Sequence, residues 1–327
     1  MGVRPARSSV EFFVIGAIVA MALFVLPARN YPLNAAAEAS PEKLARGTAA
    51  TPYQYRVLVP WIAAHTADAS DAAALQRRYL QIEFLALLAI GFGFWRYLRR
   101  FVPARTADVA APAIFILLPF NYRLQDVYPY DLMAMAFTVI GLILISERRF
   151  LWYYPLFVLA TLNRETSLFL ALAMAVTWYS RQPRWQTYLH LASQGVIWLA
   201  IKWFLYRAFR DNPQVGFGLF LPQLKMNAVL VLQLPLVAAT ALSTWGFLWV
   251  PVVARFNRIR APELRQTLFL VPLYVAAMLV VGVMTETRIY GEMLPIVAAG
   301  ALVVFDDYIR SNDAGPGTGS REPRAGA

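Results

Sequence analysis

Ten apolar runs, separated by mostly short polar joints, constrain this chain more than any other feature. They cover 10–27, 79–97, 109–120, 131–146, 150–162, 166–179, 187–206, 235–254, 266–284 and 291–305. A helix needs about 20 apolar residues to cross a hydrocarbon core of ~30 Å, so such runs read as membrane spans. The third, fifth, sixth and tenth runs are short. They imply a thinned bilayer, tilted neighbours, or helix ends that stop inside a wet cavity. The expected fold is all-α: a polytopic transmembrane helical bundle of about ten membrane segments, including short broken or re-entrant helices.

Composition agrees and removes several function classes. Hydrophobic residues make up 59% of the chain and charged residues 15%, against about 25% charged in a soluble domain. The net charge of +11 does not imply nucleic acid, because the basic residues are scattered over short loops and form no continuous patch. With no cysteine, disulfides, thiolate metal sites and cysteine nucleophiles are excluded. His65 and His190 are the only histidines, too few for a histidine-rich metal site, and both read as interfacial. The first apolar run reads as an uncleaved span. The small residues at 35–39 that would suit a signal peptidase lie well beyond it, past Pro27, Arg29 and Pro32.

Charge sets the expected orientation. With the N-terminus inside, the inner joints and tails hold 17 of the 30 basic residues and eight acids, a balance of +9 against +2 outside. That arginine bias is what orients a membrane protein. Both termini are therefore expected in the cytoplasm, with the chain in the inner (plasma) membrane. The stretch 150–179 must then be a hairpin of two short helices around NRET. One long helix would put RFNRIRAPELR, at 255–265, on the outer side. The result is a single transmembrane domain over 1–310. It has outer loops at 28–78 and 207–234 and a disordered cytoplasmic tail at 311–327, rich in Gly, Pro and Ser. The first outer loop should hold an amphipathic or partly re-entrant helix near YRVLVPWIAAH, and the second should be an interfacial loop with Gly and Pro turns.

Four polar clusters fall at outer helix ends: YQYRVLVP with Arg56; NYRLQDVYPYD with Arg123, Asp126 and Asp131; NRET with Arg164 and Glu165; and ETRIYGEMLP with Glu286, Arg288, Tyr290 and Glu292. Ionisable groups at membrane depth are costly, so they usually face a cavity and pair with one another. Arginine's planar fork suits phosphate and carboxylate, and a carboxylate can act as a general base or bind a metal. Plainer readings stand beside these. Asp131 fits a helix N-cap. Asn163 and Thr166 fit a helix stop and the next helix's cap. Arg164 and Glu165 fit a local ion pair, and Arg288 and Glu292, four apart, fit a helical one. Arg56 fits a side chain that snorkels to headgroups. Tyr53, Tyr55, Tyr122, Tyr128 and Tyr130 fit an aromatic belt. Asp126 has the weakest structural explanation and is the leading functional carboxylate. The inner arginines read as topology signals.

A large first outer loop, short helices with charged outer ends and a late R-x-Y…LP segment resemble the GT-C superfamily of polytopic glycosyltransferases. YRVLVP at 55–60, NRET at 163–166 and ETRIYGEMLP at 286–295 carry the resemblance. It implies transfer of a sugar from a polyprenyl-phosphate carrier to an acceptor on the outer face of the inner membrane. Membrane lipids and the lipid-linked donor would be the partners. Asp126 or Asp131 would be the catalytic base. Arg56, Arg123, Arg164, Glu165, Glu286, Arg288, Tyr290 and Glu292 would bind substrate. A divalent metal between phosphate and carboxylates is compatible with this scheme but not required by it. The sequence departs from the superfamily in one respect. The acid usual just after the first span is missing from PARNYPLN, and Glu38 and Glu42 are the only carboxylates between there and YQYR. A transporter or flippase of an anionic or lipid-linked substrate, or a non-catalytic membrane subunit, would use the same outer clusters differently.

Overall fold

A computed structural model describes residues 7–26, 39–68, 70–122, 128–179, 183–215, 221–233 and 235–313. Among them the chain is all-helical, apart from an isolated bridge between Thr51 and Gln214. Helix α1 (Arg7–Ala20) runs on through a π-helical stretch, Met21–Val25. The first outer loop folds into a short helix Pro41–Ala45, a 3-10 turn Tyr53–Tyr55 and α2 (Leu58–Thr66), the helix expected near YRVLVPWIAAH. Then follow α3 (Ala72–Leu98), α4 (Ile114–Asn121), α5 (Asp131–Ser146), α6 (Phe150–Asn163), α7 (Leu168–Trp178) and α8 (Arg184–Ala208). The rest comprises α9 (Leu221–Gln233), α10 (Pro235–Leu242), α11 (Trp249–Ala254), α12 (Pro262–Leu268), α13 (Leu270–Val281) and α14 (Leu294–Asp313).

Several boundaries differ from expectation, for identifiable reasons. Helix α3 starts seven residues before its apolar run, because the Asp71 carboxylate caps it and accepts the Ala73 N–H at 2.8 Å. The run 235–254 is broken, since Trp245, Gly246 and Phe247 all take left-handed backbone angles, with φ of 59°, 61° and 60°. The second outer loop is partly helical. In α9, Asn227 donates to the carbonyls of Leu279 and Gly282 and accepts from the Met284 N–H. Helix α14 continues to Asp313, three residues into the expected tail. Three stretches, Ala72–Leu98, Pro262–Val281 and Thr287–Asn312, are long and apolar enough to cross a membrane; five further apolar helices are shorter. Ten crossings is therefore a finer statement than these helices support. Helix α8 has the length but is interrupted by His190, Gln194 and Lys202.

The 150–179 stretch is a hairpin. Phe150, at the start of α6, meets Trp178, at the end of α7, with ring centroids 4.8 Å apart, and both rings touch His190. The main core lies between α3, α5 and α14. Here Gly93 lets α3 approach α5 so closely that an added Cβ would come 2.7 Å from Val139. A second, smaller core, with Leu44, Val59, Leu75, Tyr79 and Tyr130, anchors the first outer loop on α3. Charges segregate to the two ends of the bundle. Among the described residues, each ion pair joins two charges that the sequence assigns to the same side. Helix α5 links the ends, from Asp131 to Ser146; its 16 residues measure about 24 Å.

Candidate functional site: a layered ion cluster at the Asp131 end

Local chain geometry brings the clusters together. After α6, Arg164 turns to an extended conformation (φ −160°, ψ 143°) that stops the helix and directs its side chain into the bundle. Asn163 fixes this corner by donating to the Tyr130 carbonyl at 3.0 Å. Next to it, the Val57 N–H donates to the Leu162 carbonyl at 2.9 Å, setting Arg56 beside Glu165. The two segments expected as outer loops hold each other in place. The Thr51 N–H reaches the Pro213 carbonyl, and Asn212 donates to the carbonyls of Gly47 and Ala49. From the far end of the sequence, the 3-10 segment Thr287–Met293 brings in Arg288 and Glu292. At Gly291 an added Cβ would overlap the buried Tyr122 ring, so the close approach of this segment requires glycine.

The resulting cluster has a deep layer and a shallow one. In the deep layer Asp131 is fully buried. Its carboxylate pairs with Arg164 at 3.2 Å and Arg288 at 3.3 Å and accepts the Tyr128 N–H at 3.1 Å. Arg164 also pairs with Glu292 at 3.2 Å, and Glu292 accepts from the Thr166 hydroxyl at 2.6 Å and the Tyr274 hydroxyl at 3.3 Å. In the shallow layer Glu165 pairs with Arg56 at 3.0 Å and Lys202 at 3.7 Å, while Glu286 pairs with Arg288. The side chains of Glu165 and Glu286 are 39% and 30% exposed. A stack of Tyr53, Tyr128 and Tyr130 forms a shelf beside them. The Arg288 guanidinium lies 4.2 Å from the Tyr128 ring centre, and that of Arg56 lies 4.8 Å from Tyr130. Burial works against the charge of Arg56. Glu165, Tyr130 and Asp131 offset it and hold the guanidinium well above its ordinary pKa.

These pairings correct several sequence expectations. Asp131 is not an N-cap; its carboxylate is the shared counter-ion of two arginines and is fully buried. Arg164 and Glu165 do not pair with each other, nor do Arg288 and Glu292; each binds a partner from a distant segment instead. Thr166 holds Glu292 rather than capping a helix. Tyr122 and Tyr130 are buried, not part of an interfacial belt. Tyr290 has its ring centre 6.3 Å from that of Trp245 and lines an apolar cavity. Arg123 and Asp126 lie outside the described residues. Two participants were missed. Lys202 is a lone basic residue inside an apolar run, which is the signal that would have found it. Tyr274 gave no such signal, since a tyrosine in an apolar helix looks like ordinary core.

Comparison with protein-family models, curated proteins and solved structures finds no match to this chain. Among the described residues Arg56, Arg164, Arg288 and Lys202 face Asp131, Glu165, Glu286 and Glu292, four charges of each sign. Among the described residues no group of three possible ligands converges as a metal site. The Nε atoms of Arg56, Arg164 and Arg288 are buried and have no hydrogen-bond partner among the described residues. Buried donors are nearly always satisfied, so these three have donor capacity that no described residue uses. An arriving anion would compete with Glu165 and Glu286, the carboxylates that reach solvent, while the deep layer keeps the forks in place.

Proposed function

We propose that the chain is an integral membrane glycosyltransferase. It would move a sugar from a polyprenyl-phosphate carrier to an acceptor on the outer face of the inner membrane, with ten membrane segments and both termini in the cytoplasm. One observation supports this reading: arginines from three distant segments, 56, 164 and 288, converge with their carboxylates in one cluster, and among the described residues their three buried Nε–H donors have no acceptor. A phosphate supplies acceptors of that kind. In the proposed reaction a carboxylate takes the acceptor's proton, for which Asp126 is the candidate. The acceptor oxygen bonds to the anomeric carbon, and the bond from that carbon to the phosphate oxygen breaks. The electron pair leaves with the phosphate, where Arg56 and Arg288 stabilise the developing charge. Asp131 and Glu292 position the arginines and touch no substrate.

The test is transfer from a panel of polyprenyl-phosphate hexoses by membranes carrying Asp126→Asn, Arg56→Lys, Arg164→Lys or Arg288→Lys. The reading expects each to lose most activity, and it fails if all four stay fully active while folded. The buried deep layer favours a second reading, a non-catalytic membrane subunit in which the same ions lock helix ends. On that reading Glu165→Gln and Glu286→Gln change neither transfer nor lipid-phosphate binding. If the chain is instead a flippase, lipid-linked sugar crosses proteoliposomes without any bond being formed.

A further inference from the structure

The Ser146 end of the bundle carries a second group of charges. The turn between α11 and α12 presents Arg255, Arg258 and Arg260, and α12 adds Arg265. All four are exposed, and among the described residues none forms an ion pair. Most carboxylates near them are already engaged: Glu147 with Arg96 and Arg149, Asp108 with Arg99, Glu263 with Arg100, and Asp306 with Arg310. Asp307 of α14 stands outside those pairs and reaches none of the four arginines within 4.0 Å.

Against this turn lies an apolar groove of about 240 Å³, lined by Trp249, Val252, Val253, Phe256, Phe269 and Val297. It opens sideways, since Val253 and Phe269 are 68% and 58% exposed on the flank of the bundle. Phe256 joins the two features. Its ring centre lies 5.2 Å from the Arg265 guanidinium and 5.2 Å from the Phe269 ring. Unneutralised arginine forks suit a phosphate, and basic clusters at a bilayer surface draw anionic headgroups. A groove on the flank of an apolar bundle suits a hydrocarbon chain.

We propose that this turn and groove bind one anionic phospholipid, its phosphate on Arg255, Arg258 and Arg260 and one acyl chain between Trp249, Phe256 and Phe269. The site is separate from the Asp131 cluster and does not rest on the sugar-transfer reading.

The experiment uses the full chain in phosphatidylcholine vesicles. Phosphatidylglycerol or phosphatidylcholine with brominated acyl chains is titrated in, and tryptophan quenching is read. The Trp249 signal is the difference between the unmodified chain and Trp249→Phe. Phosphatidylglycerol is expected to quench that signal at a concentration lower by at least about tenfold, a preference that shrinks in high salt. The triple variant Arg255→Gln, Arg258→Gln, Arg260→Gln loses the preference, and soluble glycerol phosphate does not displace the lipid. Equal quenching by the two lipids in the unmodified chain overturns the proposal, without recourse to any variant. Preference retained in the triple variant also overturns it, as does displacement by glycerol phosphate, which would assign the arginines to a free anion.

Discussion

Asp131 is the residue on which the cluster turns. Among the described residues it is the carboxylate that pairs with two arginines at once, and it is fully buried. Removing one member of a buried pair leaves the other charge uncompensated, at a cost of about 3–5 kcal/mol. Asp131→Ala should therefore lower stability by about that amount. Glu286→Gln, which breaks a partly exposed pair, should cost under about 1 kcal/mol. Thermal unfolding in detergent, followed by circular dichroism, checks both; similar losses for the two would mean that the layers are not distinct. The sequence showed which segments carry these charges but not which charges pair. Spacing of one or four residues pointed to Arg164–Glu165 and Arg288–Glu292, whereas the extended Arg164 backbone and the 3-10 geometry of 287–293 turn each side chain toward a remote partner.

Among elements, the break between α10 and α11 is the least expected. An apolar run reads as one helix, although Gly246 and Pro251 lie inside this one. Trp245 and Phe247 accept left-handed angles that cost a non-glycine residue roughly 1–2 kcal/mol each. Trp245 is held there by its indole N–H, which donates to the Tyr290 carbonyl at 2.9 Å. Phe247 is half exposed and gains less from its place. Phe247→Gly should therefore keep or raise the melting temperature, while Gly246→Ala should lower it, because an added Cβ would come 3.2 Å from Phe120 as well as being strained. A drop of several degrees for Phe247→Gly would show that its ring matters more than its backbone. Gly291→Ala should cost about 1–3 kcal/mol by overpacking against Tyr122. Helices α5 and α6 were legible almost to the residue, since their apolar runs are bounded by charge on both sides.

For the whole molecule, the natural absence of cysteine gives a clean background for mapping orientation. Single Ser70→Cys and Arg258→Cys variants in sealed vesicles should react with an impermeant thiol reagent from opposite sides. Labelling from the same side would overturn the arrangement proposed for the two ends. The grouping of ion pairs at the two ends was legible in the sequence, because the charges lie in the polar joints between apolar runs. How many helices cross was not, because a run length does not tell a tilted span from a helix that stops part-way.

The deep layer also bears on how the chain is made. Asp131 and Arg288 are 157 residues apart, and Thr166 and Glu292 are 126 apart. During synthesis Asp131 and Arg164 are therefore made long before the segment that supplies their further partners, Arg288 and Glu292. A ribosome-bound chain halted at Val281 should remain open to protease at the 163–167 corner, whereas one extended past Asp313 should close and resist. The segment Thr287–Met293 is thus the last part of the cluster to be made, and a mutation at residue 288 or 292 should be felt first as a defect in biogenesis.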